Sequence, residues 1–344
     1  MRWIFAAGLA YFALFAATEP CRGDERELKR FEFSEPHMGT TFRLIVFMHD
    51  EAEAKQAART AFARVTELDN RLSDYKPNSE LMQLCQKAGG PPVPVSDDLF
   101  RVLDYAQTVS RLSDGAFDVS VGPLSRLWRL ARRTHQMPEA DKLAKAKALV
   151  DYRNIRLDTA KHTVQLLKPG MQLDLGGIAK GYTGDSVLET LASRKITNVL
   201  LAAGGDITVG DPPPGTKGWK IGIVPLENPE KTPSRYLFLA NQAVSTSGDA
   251  EQYVEIDGKR YSHIVDPRTG LGLVGRMSVT VVARRGIQSD SLTKTIAVLG
   301  PEKGLSIIDG VPGAAALLIR KTAKGQEVLP SKRFEAVPQE KSMP

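Results

Sequence analysis

Asp174, Gly176, Gly177 and Lys180 stand close together in one segment of the chain, and their types suit phosphate chemistry. An apolar strand over 171–175 is predicted to deliver Asp174, a Gly176-Gly177 turn to follow, and a helix over about 178–194 to open beside Lys180. That order would gather free backbone N–H groups, a positive helix end and an ammonium around a phosphate. Asp174, at the strand end, could serve a metal or a polar base. Glycine-rich strand-to-helix turns also exist for tight packing alone, so the segment leaves both readings open.

A second group lies at 261–270, where His263 precedes an Asp266-Pro267 turn. Imidazole titrates near neutrality, so His263 could take a proton from a hydroxyl; a half-buried strand histidine is the plainer reading. Asp266 is a further candidate base, or with Thr269 a cap of the turn. Upstream, Thr246 and Ser247 read as a hydroxyl-rich loop open to a polar ligand. At 113–124, Phe117 could stack on an aromatic ligand while Asp118 holds its polar edge, or Phe117 could be core. Asp290 sits near a helix start, where it either caps or offers its carboxylate to a hard cation such as Mg2+.

Regular elements must hold these residues in place. A strand is predicted over 42–47 and a long amphipathic helix over 51–72. A polar turn at 73–80 and the breaker Gly89-Gly90-Pro91-Pro92 follow, then a helix capped by Ser96 and running to 112. Pro123 opens the helix carrying Trp128, and another helix spans 139–150. Short strands are predicted at 155–157, 163–167, 198–202, 220–224, 236–239, 242–245, 252–256, 260–264, 278–283 and 314–319. Asp257-Gly258 is a hairpin signal, and helices are expected over 289–299 and 301–308. Many strands interleaved with helices give an α+β fold of mixed sheets with flanking helices, in one body or two lobes.

At 344 residues, with 42% apolar and 25% charged side chains, the chain is long enough for one large domain or two intimate ones. Its 46 basic and 40 acidic residues leave a diffuse excess of +6, with no basic run crossed by aromatic residues, which argues against nucleic-acid binding. Arg2 and the apolar run at 3–17 read as an export signal over 1–18, too short for a span of roughly 20 residues. A linker at 19–32 follows, and the body is expected in the periplasm or on the outer face of the cytoplasmic membrane. Lipid on Cys21 would be the other membrane tether. Cys21 and Cys85 are too few for a disulfide framework or a cysteine metal cluster.

Met38-Gly39-Thr40, 73–80, 115–128, 173–185, Gly204-Gly205-Asp206, 245–248, 261–270, 278–283 and 290–300, taken in that order, resemble the ApbE family of FAD:protein FMN transferases. The resemblance covers about 33–320. It implies a T-fold-related domain over 33–332, with 333–344 a flexible tail. It also implies an enzyme that takes FAD as substrate with Mg2+, joins FMN to a Thr or Ser hydroxyl of a target protein, and releases AMP. The target would be an exported redox subunit. By position, the flavin contacts fall on Met38, Tyr75, Ala116, Phe117, Asp118, Asp174, Lys180 and Val265. The metal falls on the Gly177 carbonyl, on Asp290 and on a threonine four residues later, where this chain has Lys294.

An ammonium has no lone pair for a metal. One helical turn beyond Asp290, Lys294 would pair with that carboxylate, contact the pyrophosphate, or turn away and leave the cation to Thr293 or water. The catalytic set expected is Lys180 at the pyrophosphate, Asp290 at Mg2+ and His263 at the acceptor hydroxyl. Hydrolysis of FAD to FMN and AMP, or flavin binding without catalysis, are the competing readings.

Overall fold

The computed structural model describes residues 27–226, 233–248 and 253–341. The expected export signal and Cys21 lie outside the described residues. Two strands come first, β1 (Lys29–His37) and β2 (Thr40–Met48), then α1 (Glu51–Leu72), α2 (Glu80–Gln86), β3 (Val93–Pro94), α3 (Asp97–Leu112), α4 (Gly122–Thr134) and α5 (Ala140–Lys147). Next come β4 (Ile155–Asp158), β5 (Thr163–Leu166), α6 (Ala179–Ala192), β6 (Val199–Ala203), β7 (Asp206–Val209), β8 (Trp219–Ile223), β9 (Arg235–Leu239) and β10 (Gln242–Gly248). The rest are β11 (Tyr253–Ile256), β12 (Lys259–Val265), β13 (Gly272–Val274), β14 (Met277–Ala283), α7 (Gly286–Gly310), β15 (Ala315–Thr322), β16 (Gly325–Pro330) and β17 (Gln339–Lys341).

An eight-stranded antiparallel sheet, ordered β1-β2-β6-β7-β10-β14-β15-β16, forms the centre. Alternation along its strands sorts residues onto two covered faces. Phe42, Leu44 and Val46 of β2, with Val199, Leu201 and Ala203 of β6, pack on α1 and α6. Val279 and Val281 of β14, with Ala316 and Leu318 of β15, pack on α7. The intervening Ile45, Leu200, Ala202, Val282 and Leu317 face the small sheet β17-β9-β8 through Trp219, Ile221, Leu237 and Leu239. Burial on both faces makes β6 apolar throughout. A further core joins α2, α3 and the β3-β5-β4 sheet to residues 171–182.

Four expectations are corrected. Residues 171–175 are extended but belong to no sheet: Met171, Leu173 and Leu175 are buried in alternation, yet the amides of Leu173 and Asp174 go to Cys85 Sγ and the Val119 carbonyl. Period-two burial does not require a neighbouring strand. The Thr246-Ser247-Gly248 stretch is not a loop but the end of β10, paired with β14. The division expected between helices at 289–299 and 301–308 is, by contrast, present: α7 is two helices meeting at the non-helical Gly300 (φ 76°), just before Pro301. Residues 333–341 are not loose: Phe334 is fully buried in the core between the central sheet and the β17-β9-β8 sheet, Arg333 donates to the carbonyls of Ile308, Asp309, Val311 and Ala314, and β17 pairs with β9. β1 likewise starts inside the expected 19–32 linker.

Candidate active site

With Leu173 and Leu175 buried, alternation turns Asp174 away from the core, and its carboxylate organises the loop. Oδ1 accepts the Gly176 N–H at 2.8 Å and Oδ2 accepts Arg129 Nη2 at 3.0 Å. Arg129 also donates Nη1 to Asp74 Oδ2 at 2.5 Å, and its guanidinium lies 4.1 Å from the ring centre of Tyr75, which is 71% exposed. Burial, then the neighbouring charge of Asp174, pushes the Asp74 carboxyl up to about 6 despite Arg129. Arg129 therefore clamps two carboxylates beneath an exposed aromatic ring.

The second half of the site lies where α6 crosses α7. Gly181 and Gly286 let the backbones touch: a methyl on Gly181 would lie 2.0 Å from the Gly286 oxygen. The crossing delivers the Gly181 N–H to Asp290 Oδ2 at 3.0 Å, and Asp290 is fully buried. Lys294, one turn on, places its ammonium on Asp290 Oδ1. Lys180 donates to Asp206 Oδ2 at 3.0 Å and reaches the Gly176 carbonyl at 3.5 Å. Burial alone would lower the Lys180 pKa, but Asp206, Asp290 and Asp174 hold it above its ordinary value. Burial would likewise raise that of Asp206, and the charges of Lys180 and Lys294 bring it below the usual carboxylate range. Asp206 Oδ1 is buried without a hydrogen-bond partner. Two carboxylates and two ammoniums thus form one interlocked cluster.

The amides expected to cradle a phosphate are largely engaged. Gly176 N–H goes to Asp174, Ile178 and Ala179 N–H to the Leu175 carbonyl, and Gly181 N–H to Asp290. Positive charge for an anion comes chiefly from side chains.

The remaining candidates are placed unevenly. Gly177 borders both Phe117 and Lys294: a methyl there would lie 3.4 Å from the Phe117 ring and 3.5 Å from Lys294 Cγ. Ala116 and Phe117 are buried. Asp118 is committed to local structure, accepting from the Ser120 amide and hydroxyl at 2.8 and 2.7 Å and from the Tyr152 amide at 2.8 Å. Met38 lies in the tight β1–β2 turn (φ 47°) and accepts from Thr183 Oγ1 at 3.8 Å, one helical turn from Lys180. Val265 is buried against Leu124 and Trp128 of α4. His263 is half-buried on β12, between Ser262 and Ile264, with Ile264 packed on α7. Asp266 accepts the Arg268 amide and pairs with its guanidinium, and Thr269 accepts the Leu271 amide, as capping requires.

Arg129, Asp74 and Asp206 were not among the sequence candidates. Arg129 is 55 and 45 residues from its partners, beyond any local pattern. Asp206 did carry a signal, since Gly204-Gly205-Asp206 follows the buried strand β6.

The residues expected to hold Mg2+, Gly177 and Asp290, do not fit a divalent ion as arranged. Both Asp290 oxygens are taken, one by the Gly181 amide and one by an ammonium. A divalent charge about 4 Å from that ammonium would be repelled by about 8 kcal/mol at an effective dielectric of ~20. Among the described residues, no group of three or more His, Cys, Asp or Glu is placed to hold a metal.

Comparison with known proteins agrees with this architecture. Residues 38–318 match the model of the ApbE family. An FAD:protein FMN transferase of Klebsiella pneumoniae (strain 342) is 33% identical over 293 residues, covering 85% of this chain and 89% of that protein. One from Treponema pallidum (strain Nichols) is 31% identical over 312 residues, covering 86% of each. Among solved structures, the flavin transferase ApbE from Vibrio cholerae superposes with a TM-score of 0.81 at 28% identity, over 90% of this chain and 99% of that one. The apo form of Pseudomonas stutzeri flavinyl transferase ApbE gives 0.80 at 28% identity, over 92% and 98%. The fold is α+β as expected, shared along nearly the whole described chain, and the chain belongs to the ApbE family.

Proposed function

We propose that this protein is an FAD:protein FMN transferase, moving FMN from FAD to a Thr or Ser hydroxyl of a target protein with release of AMP. The observation that carries this reading is the Lys180–Asp206 pair beside the Gly176-Gly177 turn, in a chain of this family. In the reaction the acceptor oxygen bonds to the FMN phosphorus and the bond from that phosphorus to the bridging oxygen breaks. The electron pair leaves on AMP. Charge accumulates on phosphoryl oxygens, which a fixed ammonium stabilises without reorganising. Lys180 supplies it, held charged by three carboxylates. Tyr75 offers the exposed aromatic surface for the flavin, with Asp174 positioned by Arg129, while Phe117 packs in the core beneath Gly177. Mg2+ carries no step, since the residues around Asp290 do not fit it.

His263 is the base for the acceptor proton in this reading, and the acceptor an exported redox subunit met in the periplasm or at the outer face of the membrane. Incubating the protein with FAD and a threonine-bearing acceptor tests it by intact mass. Flavinylated acceptor with equimolar AMP supports transfer, free FMN supports hydrolysis, and unchanged bound FAD supports a binding protein. His263→Ala should slow transfer by about 10²–10⁴-fold, the usual span for a general base, while FAD binding persists. Unchanged transfer would remove His263 from the mechanism.

A further inference from the structure

Lys294 changes what the site needs from solution. The resemblance places a threonine at this position, and that side chain would leave Asp290 and Asp206, both within the field of Lys180, with only that ammonium to balance them. The cluster would then carry one excess negative charge where a pyrophosphate must enter. In this chain the Lys294 ammonium rests on Asp290 Oδ1, beside Gly177 and within the field of Asp206. The balance becomes two anions against two cations, all tethered. Most of the Lys294 side chain is covered, with 15% exposed, while its methylene stem borders Gly177. An ammonium has three N–H donors and needs only one for Asp290, so others remain for a phosphate oxygen.

We propose that Lys294 is a built-in replacement for the divalent cation, making FAD binding and FMN transfer by this chain independent of added metal. This rests on the transferase reading above. The chemistry balances as before: the phosphorus–acceptor bond forms, the bond to the bridging oxygen breaks, the hydroxyl proton passes to the base and AMP departs with the electron pair. Lys294 donates hydrogen bonds to the diphosphate and exchanges no electrons. The same residue excludes the metal, since its charge and its hold on Asp290 oppose a divalent ion there.

The test uses the full protein, FAD and Mg2+, with chelator as the other arm. Wild type should bind FAD equally, by flavin fluorescence, in chelator and in Mg2+, and should release AMP in the presence of acceptor equally in both. Its melting temperature without FAD should not respond to Mg2+. Lys294→Met should lose about 10²–10³-fold in AMP release, as when one preorganised donor is removed, with no rescue by Mg2+. Lys294→Thr should become metal-dependent, and its melting temperature should rise with Mg2+, because a ligand bound only by the folded state stabilises it. Should either variant fail to fold, the wild-type titrations still decide. Wild type that binds FAD or releases AMP only with Mg2+ overturns the inference and leaves the transferase reading standing. Wild type that binds no FAD in either arm overturns both.

Discussion

Gly181→Ala is the sharpest test of how the site is assembled. The added methyl would meet the Gly286 oxygen at 2.0 Å, its carbon at 2.4 Å and Asp290 Cβ at 2.7 Å. An ordinary contact begins near 3.4 Å, so α6 and α7 must part by 3.4 − 2.0 = 1.4 Å. The Gly181 N–H now reaches Asp290 Oδ2 at 3.0 Å; an equal displacement along that line leaves about 4.4 Å, which is no hydrogen bond. Overpacking costs about 1–3 kcal/mol and the lost bond to a charged oxygen about 1.5–3 kcal/mol. Better helix propensity returns about 1 kcal/mol. The net is a loss centred near 3 kcal/mol, or about 6–12 °C in melting temperature for a domain of this size. FAD affinity should fall too, because Asp290 and Lys294 ride on the displaced helix. Gly310→Ala, where the same methyl meets nothing within 4 Å, is the control and should melt at or slightly above wild type. Calorimetry and flavin fluorescence on both variants decide the matter. If Gly181→Ala melts with the control and binds FAD like wild type, the glycine crossing does not build the site.

Phe334→Ala should cost about 3–5 kcal/mol in urea unfolding, since that ring is fully buried; a negligible shift would mean that residues 333–341 are dispensable. Asp185, which accepts the Gly286 and Ile287 amides, has its carboxyl pushed from 3.8 up to about 6 by burial, partly offset by those amides. The folded chain then holds that proton more tightly than the unfolded one, so this group's stabilisation is present below 3.8 and lost as pH rises to about 6. Wild type measured against Asp185→Asn should lose up to about 3 kcal/mol across that window. A pH-independent difference would contradict this.

Much of the fold was legible because burial on two faces writes itself into the strands. Phe42, Leu44 and Val46 against Ile45 and Phe47 give the alternation, and Asp50 accepting the Glu53 amide marks the start of α1 where the sequence placed it. Charged edge strands were not legible: β1, with Lys29, Arg30 and Glu32, and β16, with Gln326 and Glu327, present polar residues to solvent as edges do. Within the site, Asp174, Gly177, Lys180 and Asp290 stood out by type and spacing. Their partners did not. Arg129 reaches Asp74 and Asp174 across distant loops, and Asp206 meets Lys180 only because β7 packs beside α6. Hydrogen bonding also decided which amides were spoken for, and sequence spacing carries no record of that.

A side-by-side titration of the purified protein with FAD and with riboflavin, which lacks the diphosphate, probes the grip on that group without any mutation. Charge-assisted hydrogen bonds contribute about 1.5–3 kcal/mol each, so two from the lysine cluster should make FAD bind about 10²–10⁴-fold tighter. Saturable binding with that preference is the expected result. Equal affinity for the two ligands, or no saturable binding of FAD, would contradict a site built around Lys180 and Lys294 to hold a pyrophosphate.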